Sequence, residues 1–351
     1  MTPHPYTDRK ILVTGASGFI GSFIVEKALG EGMEVWAAVR KNSSRRYLQD
    51  SRIRFVELTL EDEATLREQI RAHCAEHGAW HYVVHAAGAT KCKHNDDFFK
   101  VNTQGTLHLA ATLLQEKALL GRFVFISSLS VMGAIREQQV GGRHGEWHYA
   151  PIEETDTPQP NTAYGRSKLQ AEQGLAALEG LDYVVLRPTG VYGPRERDYF
   201  LLAKSIVQHV DFAVGYRPQE LTFIYVKDLA DAVVNALIFG KRGKAYFLTD
   251  GEVYHSRTFS DLLQQELGVR GVLHIKAPLW VLRVVSIVAE RWARCRGKSA
   301  TLNTDKYKIM KQRNWQCNIG AACVELHYTP QYTLKKGVKE AVEWYEKEKW
   351  L

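Results

Sequence analysis

The segment that most constrains this chain is Ile11-Leu12-Val13-Thr14-Gly15-Ala16-Ser17-Gly18-Phe19-Ile20-Gly21, an apolar β-branched run, a glycine-rich turn and the opening of a helical pattern. Gly15 permits a tight turn, Gly18 lets backbone approach a pyrophosphate, and Gly21 allows a helix to pack closely on the preceding strand. The N–H groups of the turn and first helical residues, Ser17, Phe19 and Ile20 among them, then face phosphate oxygens. Short apolar runs at 11–14, 34–39, 54–57, 82–86, 123–127 and 183–186 alternate with helical patterns such as 19–29, 63–76 and 102–115. That rhythm predicts a parallel sheet with helices on both faces, and right-handed crossovers make it a doubly wound α/β fold.

After Pro188 the rhythm breaks, with further prolines at 194 and 218 among short mixed elements. The division expected is a dinucleotide-binding lobe over 1–187 with a returning helical segment at about 226–243. A smaller substrate lobe covers 188–225 and 244–330, and a C-terminal helix 331–351. The stretch 141–161, rich in Gly, Pro and polar residues, reads as a long loop from which Trp147 and His148 reach toward substrate.

The second strand ends at Val39-Arg40, where an NAD site commonly carries an acidic side chain for the ribose hydroxyls. Arg40 is followed by Lys41, Asn42, Ser43 and Ser44. A guanidinium beside hydroxyls suits a 2′-phosphate. NADP(H) is therefore the favoured cofactor, with NAD(H) the alternative. The net charge of +7 fits a phosphorylated cofactor, and no long basic block suggests nucleic acid. Five cysteines without a C-x-x-C pair point to reduced thiols in a cytoplasmic setting. No signal peptide is expected before the first strand, and no apolar run approaches the roughly 20 residues that span a bilayer.

Tyr164-Gly165-Arg166-Ser167-Lys168 opens a helical pattern, and an i, i+4 pair shares one face. A free phenol titrates at about 10, so a proton relay near neutrality needs help. A neighbouring ammonium favours the phenolate, and a three-unit shift takes roughly 4 kcal/mol. The pair follows Phe123-Val124-Phe125-Ile126-Ser127-Ser128, a strand ending in two hydroxyls. Ligands gather beyond such carboxyl ends, so Ser128 is the candidate to bind a substrate oxygen, with Ser127 or Ser130 in reserve.

Taken together, Gly15/Gly18/Gly21, His85-Ala86-Ala87-Gly88, Asn102, Ser127-Ser128, Tyr164/Lys168, Arg187-Pro188-Thr189-Gly190-Val191-Tyr192-Gly193-Pro194 and Val226-Lys227-Asp228 resemble the extended short-chain dehydrogenase/reductase family. The resemblance implies that Ser128, Tyr164 and Lys168 are catalytic. Ala86, Ala87, Gly88 and Ser127 would line the cofactor site, Lys168 would hold the nicotinamide ribose, and Pro188 would line the nicotinamide pocket. Asn102 would help position the site. It also implies a homodimer.

One branch of that family epimerises or dehydrates nucleotide sugars. Another interconverts a ketone and an alcohol on a lipophilic ring, as do 3β-hydroxysteroid dehydrogenases and dihydroflavonol reductases. The sugar branch usually has asparagine where this chain has Gly190, often arginine at Leu221 and commonly tyrosine at Met132. Losing the amide and the guanidinium removes charge-assisted contacts to a diphosphate, and methionine leaves a more apolar, adaptable wall, so these departures favour the oxidoreductase branch. Arg195, Arg197 and Arg217 could still bind a diphosphate, and Thr59 replaces an aspartate common near the adenine. The stretch 279–293 carries Leu279, Trp280, Leu282, Val285, Ile287, Val288, Trp292 and Ala293. It reads first as an amphipathic helix covering the substrate lobe. A sharper reading is an interfacial helix, with Arg291, Arg294, Arg296 and Lys298 near anionic lipid. His73 and His77 lack a third ligand at a recognisable spacing, so no metal is expected and the pair reads as an exposed helix face. Asp96-Asp97 read as helix-starting charges, and Glu153-Glu154 as a solvated pair.

Overall fold

The computed structural model describes residues 6, 8–140, 146–296 and 304–351. The strands run β1 (Lys10–Thr14), β2 (Glu34–Val39), β3 (Arg54–Glu57), β4 (Trp80–His85), β5 (Leu119–Ile126), β6 (Glu137–Val140), β7 (Glu146–Tyr149), β8 (Tyr183–Pro188), β9 (Gly190–Tyr192), β10 (Val210–Val214), β11 (Glu220–Leu221), β12 (Phe223–Tyr225), β13 (Ala245–Leu248), β14 (Tyr254–His255) and β15 (Leu273–Ala277). The α-helices are α1 (Phe19–Gly30), α2 (Glu63–His77), α3 (Asn95–Phe98), α4 (Gly105–Gln115), α5 (Ala163–Ala176), α6 (Asp198–Val207), α7 (Val226–Phe239), α8 (Thr258–Glu266), α9 (Leu279–Cys295), α10 (Thr304–Lys311), α11 (Gly320–Glu325) and α12 (Leu334–Lys347).

Seven parallel strands in the order β13-β8-β5-β4-β1-β2-β3 form the central sheet. Because a strand's side chains alternate faces, β1 sends Ile11 and Val13 into one core and Leu12 into the other. The same alternation splits Val124 and Ile126 of β5 from Phe123 and Phe125. One core lies under Ile24 of α1 and Leu229 and Val233 of α7, the other under Ile70 of α2, Leu109 of α4 and Leu175 of α5. Burial on both faces explains why these strands read as continuous apolar runs. The strand order reverses between β1 and β4, and such a switch point opens a crevice beyond the strands' carboxyl ends.

The structure corrects several expectations. Strand β13 pairs with β8 inside the main sheet, so the 244–330 stretch does not belong wholly to the smaller lobe. Ala322, Leu326 and Tyr328 likewise pack into the core beneath α7. Part of the expected loop at 141–161 is the outer strand of an antiparallel hairpin, β6 with β7, while 141–145 lie outside the described residues. The helix expected from Asn102 begins earlier, as a π-helical turn over Phe99–Gln104 leading into α4. His73 is not on an exposed face: it is buried and stacked on Trp80 at 4.0 Å between ring centroids. Among the described residues, no helix is long and apolar enough to cross a membrane.

Candidate active site

The turn after β1 holds backbone where side chains cannot go. Gly15 has φ +66°, and a Cβ there would lie 2.7 Å from the Ala86 carbonyl carbon and the Ala87 nitrogen. A Cβ on Gly21 would collide with the Gly15 carbonyl. Strand β1, α1 and the 86–88 turn therefore close together through bare backbone. Gly18 caps α1 with no side-chain hydrogen bond, and the helix has no acidic residue in its first turn. Its N-terminal N–H groups and positive dipole end remain available to an anion. A cleft of about 610 Å³ opens here, lined by Gly15, Ser17, Gly18, Arg40, Lys41, Ser43, Thr59, Ala86, Ala87 and Gly88 among others. A glycine cradle, an uncapped helix end and a cationic rim fit a dinucleotide. Phe19 and Ile20, the first residues of α1, pack partly buried against the core, so what they offer the cleft is backbone.

Arg40 is exposed at the rim, where its N–H donates to Ser43 Oγ at 2.9 Å and tightens the loop after β2. Beneath the cleft His85 is fully buried between two threonines, Thr14 Oγ1 at 2.7 Å and Thr106 Oγ1 at 2.9 Å. Burial drives its pKa down to about 3, and the Lys168 ammonium adds to that, so the ring is neutral and acts as a rigid strut.

The π-helical turn sets Asn102. Its Oδ1 accepts from the Ala89 N–H at 2.7 Å, and its Nδ2 donates to the Ala89 carbonyl and to Ser167 Oγ, both at 3.0 Å. One buried amide thus ties the 86–89 turn to the middle of the Tyr164–Lys168 segment. A single wide turn re-aims a side chain in this way, which is why such turns gather at functional sites.

On α5, Tyr164 and Lys168 point into one site. The Ser128 hydroxyl, just after β5, stands near enough to the Tyr164 phenol to lower its pKa. Lys168 is buried, its Nζ donating to the Ile126 carbonyl at 2.9 Å and standing 4.6 Å from the Phe125 ring centroid. A Cβ on Gly88 would come within 3.2 Å of that Nζ, so the missing side chain at 88 makes room for the lysine beside the cleft. Burial lowers the Lys168 pKa to about 8, with Glu172 pulling the other way. The Tyr164 phenol is pushed above its ordinary value by burial, partly offset by Ser128, against the expectation of a lowered one. The protein alone withholds solvent from the ring more than it supplies positive charge.

Ser127 is turned elsewhere. Its hydroxyl donates to Glu172 Oε1 at 2.5 Å, and Glu172 forms a buried ion pair with Arg187, 2.6 Å from NH2 to Oε2. Pro188, next to that arginine, ends β8 in a buried position. Met132 does not wall an open pocket: it is fully buried, with its sulfur 3.6 Å from Arg187 NH1. Ser128 Oγ accepts from the Ser130 N–H at 3.1 Å, which shapes the turn after β5.

Two groups escaped the sequence reading. Glu172 stands four residues beyond Lys168, so helical spacing alone could have placed it on the same face. Asp305, on α10 of the smaller lobe, had no such signal. Its Oδ2 accepts from the N–H groups of Ala163 at 2.7 Å and Tyr164 at 3.4 Å, while Thr162 Oγ1 accepts from Gly165 at 2.9 Å. The end of α5 that carries Tyr164 is therefore held from both lobes.

The candidate diphosphate ligands are largely engaged. Arg195 donates to Ser22 Oγ at 2.9 Å and Glu26 Oε1 at 2.5 Å, and lies 4.3 Å from the Phe23 ring centroid. Arg217 stacks over Trp147 at 4.5 Å, whereas Arg197 is exposed at the cap of α6. His148 lines a separate cleft of about 490 Å³ beside the hairpin, with Ile135 and Tyr149. At Gly190, a Cβ would lie 2.6 Å from the Tyr199 hydroxyl and 3.3 Å from the Phe223 ring. Asp97 closes a reciprocal cap with His94, as expected of helix-starting charges. Glu154 is not a solvated charge: it pairs with Lys244 at 3.3 Å, and burial raises its pKa. Among the described residues, no cluster of three or more His, Cys, Asp or Glu could hold a metal.

The chemistry available is a phenol, a hydroxyl and a buried ammonium beside a dinucleotide-shaped cleft. The model of the NAD dependent epimerase/dehydratase family matches residues 11–248. A sterol-4-alpha-carboxylate 3-dehydrogenase (decarboxylating) of Dictyostelium discoideum is 26% identical over 344 residues, covering 95% of this chain and 99% of that protein. A putative dihydroflavonol 4-reductase of Synechocystis sp. is 28% identical over 349 residues, covering 95% and 94% respectively. The dTDP-glucose 4,6-dehydratase of Bacillus anthracis, solved in complex with NAD, shares the fold at TM-score 0.74 and 20% identity over 97% of this chain and 98% of its own. The chain belongs to the NAD dependent epimerase/dehydratase family, as an NAD(P)-dependent enzyme of the extended short-chain dehydrogenase/reductase type.

Proposed function

We propose that this enzyme is an NADP(H)-dependent oxidoreductase that interconverts a ketone and a secondary alcohol on a lipophilic ring substrate. The observation that carries the reading is the placement of Tyr164 and Lys168 one helical turn apart on α5, with Ser128 beside the phenol and the Lys168 ammonium buried nearby. Bound, the nicotinamide supplies or accepts the hydride. Ser128 holds the substrate oxygen, and Tyr164 gives that oxygen its proton in the reducing direction. A phenol held protonated by burial suits the donor role. Lys168, charged below about pH 8, steadies the negative charge left on the ring.

Three features favour a lipophilic substrate over a nucleotide sugar. Tyr199 and Phe223 occupy the space that an amide at position 190 would need. Arg195 is spent on α1, and Leu221 packs into the aromatic core of the smaller lobe. Two relatives are named as a sterol-4-alpha-carboxylate 3-dehydrogenase and a putative dihydroflavonol 4-reductase, and the compounds in those names are of that class. For the cofactor, support comes from Arg40, Lys41 and Ser43 together at the rim of the cleft.

Two substitutions test the reading. Tyr164→Phe keeps the ring and should lower ketone reduction about a thousandfold or more while NADPH still binds. Turnover within a few-fold of the parent would remove the tyrosine from the chemistry. Arg40→Glu should weaken NADPH on the order of tenfold or more, as loss of a charge-assisted phosphate contact does. NADH should change far less, and equal losses would sink the 2′-phosphate assignment. A panel of cyclic ketones with NADPH, set against a nucleotide-sugar panel, separates the two substrate classes.

A further inference from the structure

Helix α9 wears its apolar side outward. Trp280, Val284, Val288 and Trp292 follow one another at four-residue intervals, and Trp280 is 70% exposed, Val288 61% and Trp292 59%. Val285 broadens the stripe. The buried side of the helix is narrow, with Leu282 and Ser286 facing the protein. The expectation that this helix covers the substrate lobe with its apolar face is therefore overturned. The strand that leads into it, β15, and its partner β10 continue the pattern: Phe212 and Ile275 are paired across them, and both are exposed together with Leu273. A lone exposed apolar residue is ordinary, but a row this long with two tryptophans calls for a partner.

The charges say which partner. Arg283 and Arg291 are exposed on α9 around the stripe, Arg296 is exposed just after the helix, and Lys276 is exposed just before it. Glu290, the one acidic residue of the helix sequence, is turned inward and accepts from the Thr304 N–H at 3.0 Å. The side chain of Arg294, and Lys298, lie outside the described residues. A second copy laid on this face would set arginines against arginines, which opposes association. An anionic bilayer surface meets both demands: acyl chains take the valines, the headgroup boundary takes the tryptophans, and lipid phosphates take the arginines.

We propose that α9, with the exposed edge of β10 and β15, docks this enzyme on an anionic lipid surface. The docked helix is linked to the chemistry by short steps. Glu290 holds the start of α10, and Asp305 on that first turn holds the start of α5, where Tyr164 stands. A surface that delivers lipophilic molecules would lie next to the lobe that receives them. The docking stands on the exposed face alone, so its failure would leave the reading of the active site untouched.

The experiment sediments the full chain with vesicles of phosphatidylcholine and of phosphatidylcholine mixed with phosphatidylglycerol. Binding to the mixed vesicles is expected, at least about tenfold weaker to the neutral ones, and released as salt shortens the Debye length. Val284→Glu/Val288→Glu and Arg283→Glu/Arg291→Glu should each lower that binding about tenfold or more. Both pairs are exposed, so NADPH-dependent activity on a water-soluble ketone should stay at the parental level. Equal binding by parent and variants, or no binding to either vesicle, overturns the proposal. So does a parental dimer that Val284→Glu/Val288→Glu converts to monomer while vesicles fail to bind, since the stripe would then be a self-association face.

Discussion

Two helix N-termini face the crevice, and they are finished in opposite ways. Helix α1 begins at Gly18 with no side-chain cap and no acidic first turn. Helix α5 begins with Thr162 and Asp305 accepting from the N–H groups of Ala163, Tyr164 and Gly165. Every helix start leaves four N–H groups without intrahelical partners, and something must satisfy them. At α1 the protein leaves those groups open; at α5 it meets the need and holds the turn that carries Tyr164. The same backbone feature is thus open in one place and closed in the other. What decides between them is a missing Cβ on one side and a carboxylate from the distant lobe on the other.

The comparison breaks most sharply if the open end is closed. Gly18 has φ −83° and extended ψ, a conformation that an L-residue accepts and that suits an N-cap. Gly18→Asp should cap α1, and the dipole's preference for an anion, about 0.3–1 kcal/mol, offsets the tight 3.1 Å approach of the new Cβ to the Gly15 carbonyl oxygen, so stability should change little. Cofactor affinity should fall on the order of a hundredfold, because the new carboxylate takes the N–H groups and repels the pyrophosphate. Thermal unfolding and a fluorescence titration with NADPH read both effects. A variant that binds NADPH like the parent would show that the end of α1 does not meet the phosphates.

The open end was legible from residues alone, and the closed end only in part. Strand β1, the glycine turn and α1 are contiguous, so spacing carried their geometry, and β2 and β3 fell at the boundaries that apolar periodicity marks. Tyr164 and Lys168 share a turn of helix, so their convergence was readable too. Asp305 lies 141 residues from Tyr164, and no local pattern announces a contact made by folding the chain back across the crevice. Ser127 failed for a related reason. A hydroxyl at a strand's end can serve a ligand or a buried ion pair, and Glu172 with Arg187 claims this one. The π-helical turn at Asn102 and the outward stripe of α9 are likewise settled by packing. Propensity sees a helix in both, and a face's composition does not say what will lie against it.

A smaller effect is expected from opening the closed end. Asp305→Ala strands the N–H groups of Ala163 and Tyr164 in a buried position, at a cost of about 1–3 kcal/mol. Tyr164 would lose its fixed direction, so kcat should drop on the order of tenfold with KM for NADPH unchanged, as misplacement of a reacting group does. Asp305→Asn keeps an acceptor oxygen and should recover most of the loss. A fall in stability with kcat unaltered would make Asp305 a structural cap and nothing more.

Thr162 makes the finest test, because it closes the same end from within the segment that opens α5. Its Oγ1 accepts from Gly165 at 2.9 Å, one turn into the helix and on the nucleotide side of the crevice. Thr162→Ala removes one cap bond, worth about 1 kcal/mol, while the Asp305 carboxylate still holds Ala163 and Tyr164. The urea midpoint should fall by that amount and kcat should stay within about twofold of the parent. Thr162→Ser, which keeps the hydroxyl, should restore the midpoint. If Thr162→Ala instead matched Asp305→Ala in kcat, the tyrosine would be positioned from its own segment. The reach of the smaller lobe across the crevice would then have no part in aiming it.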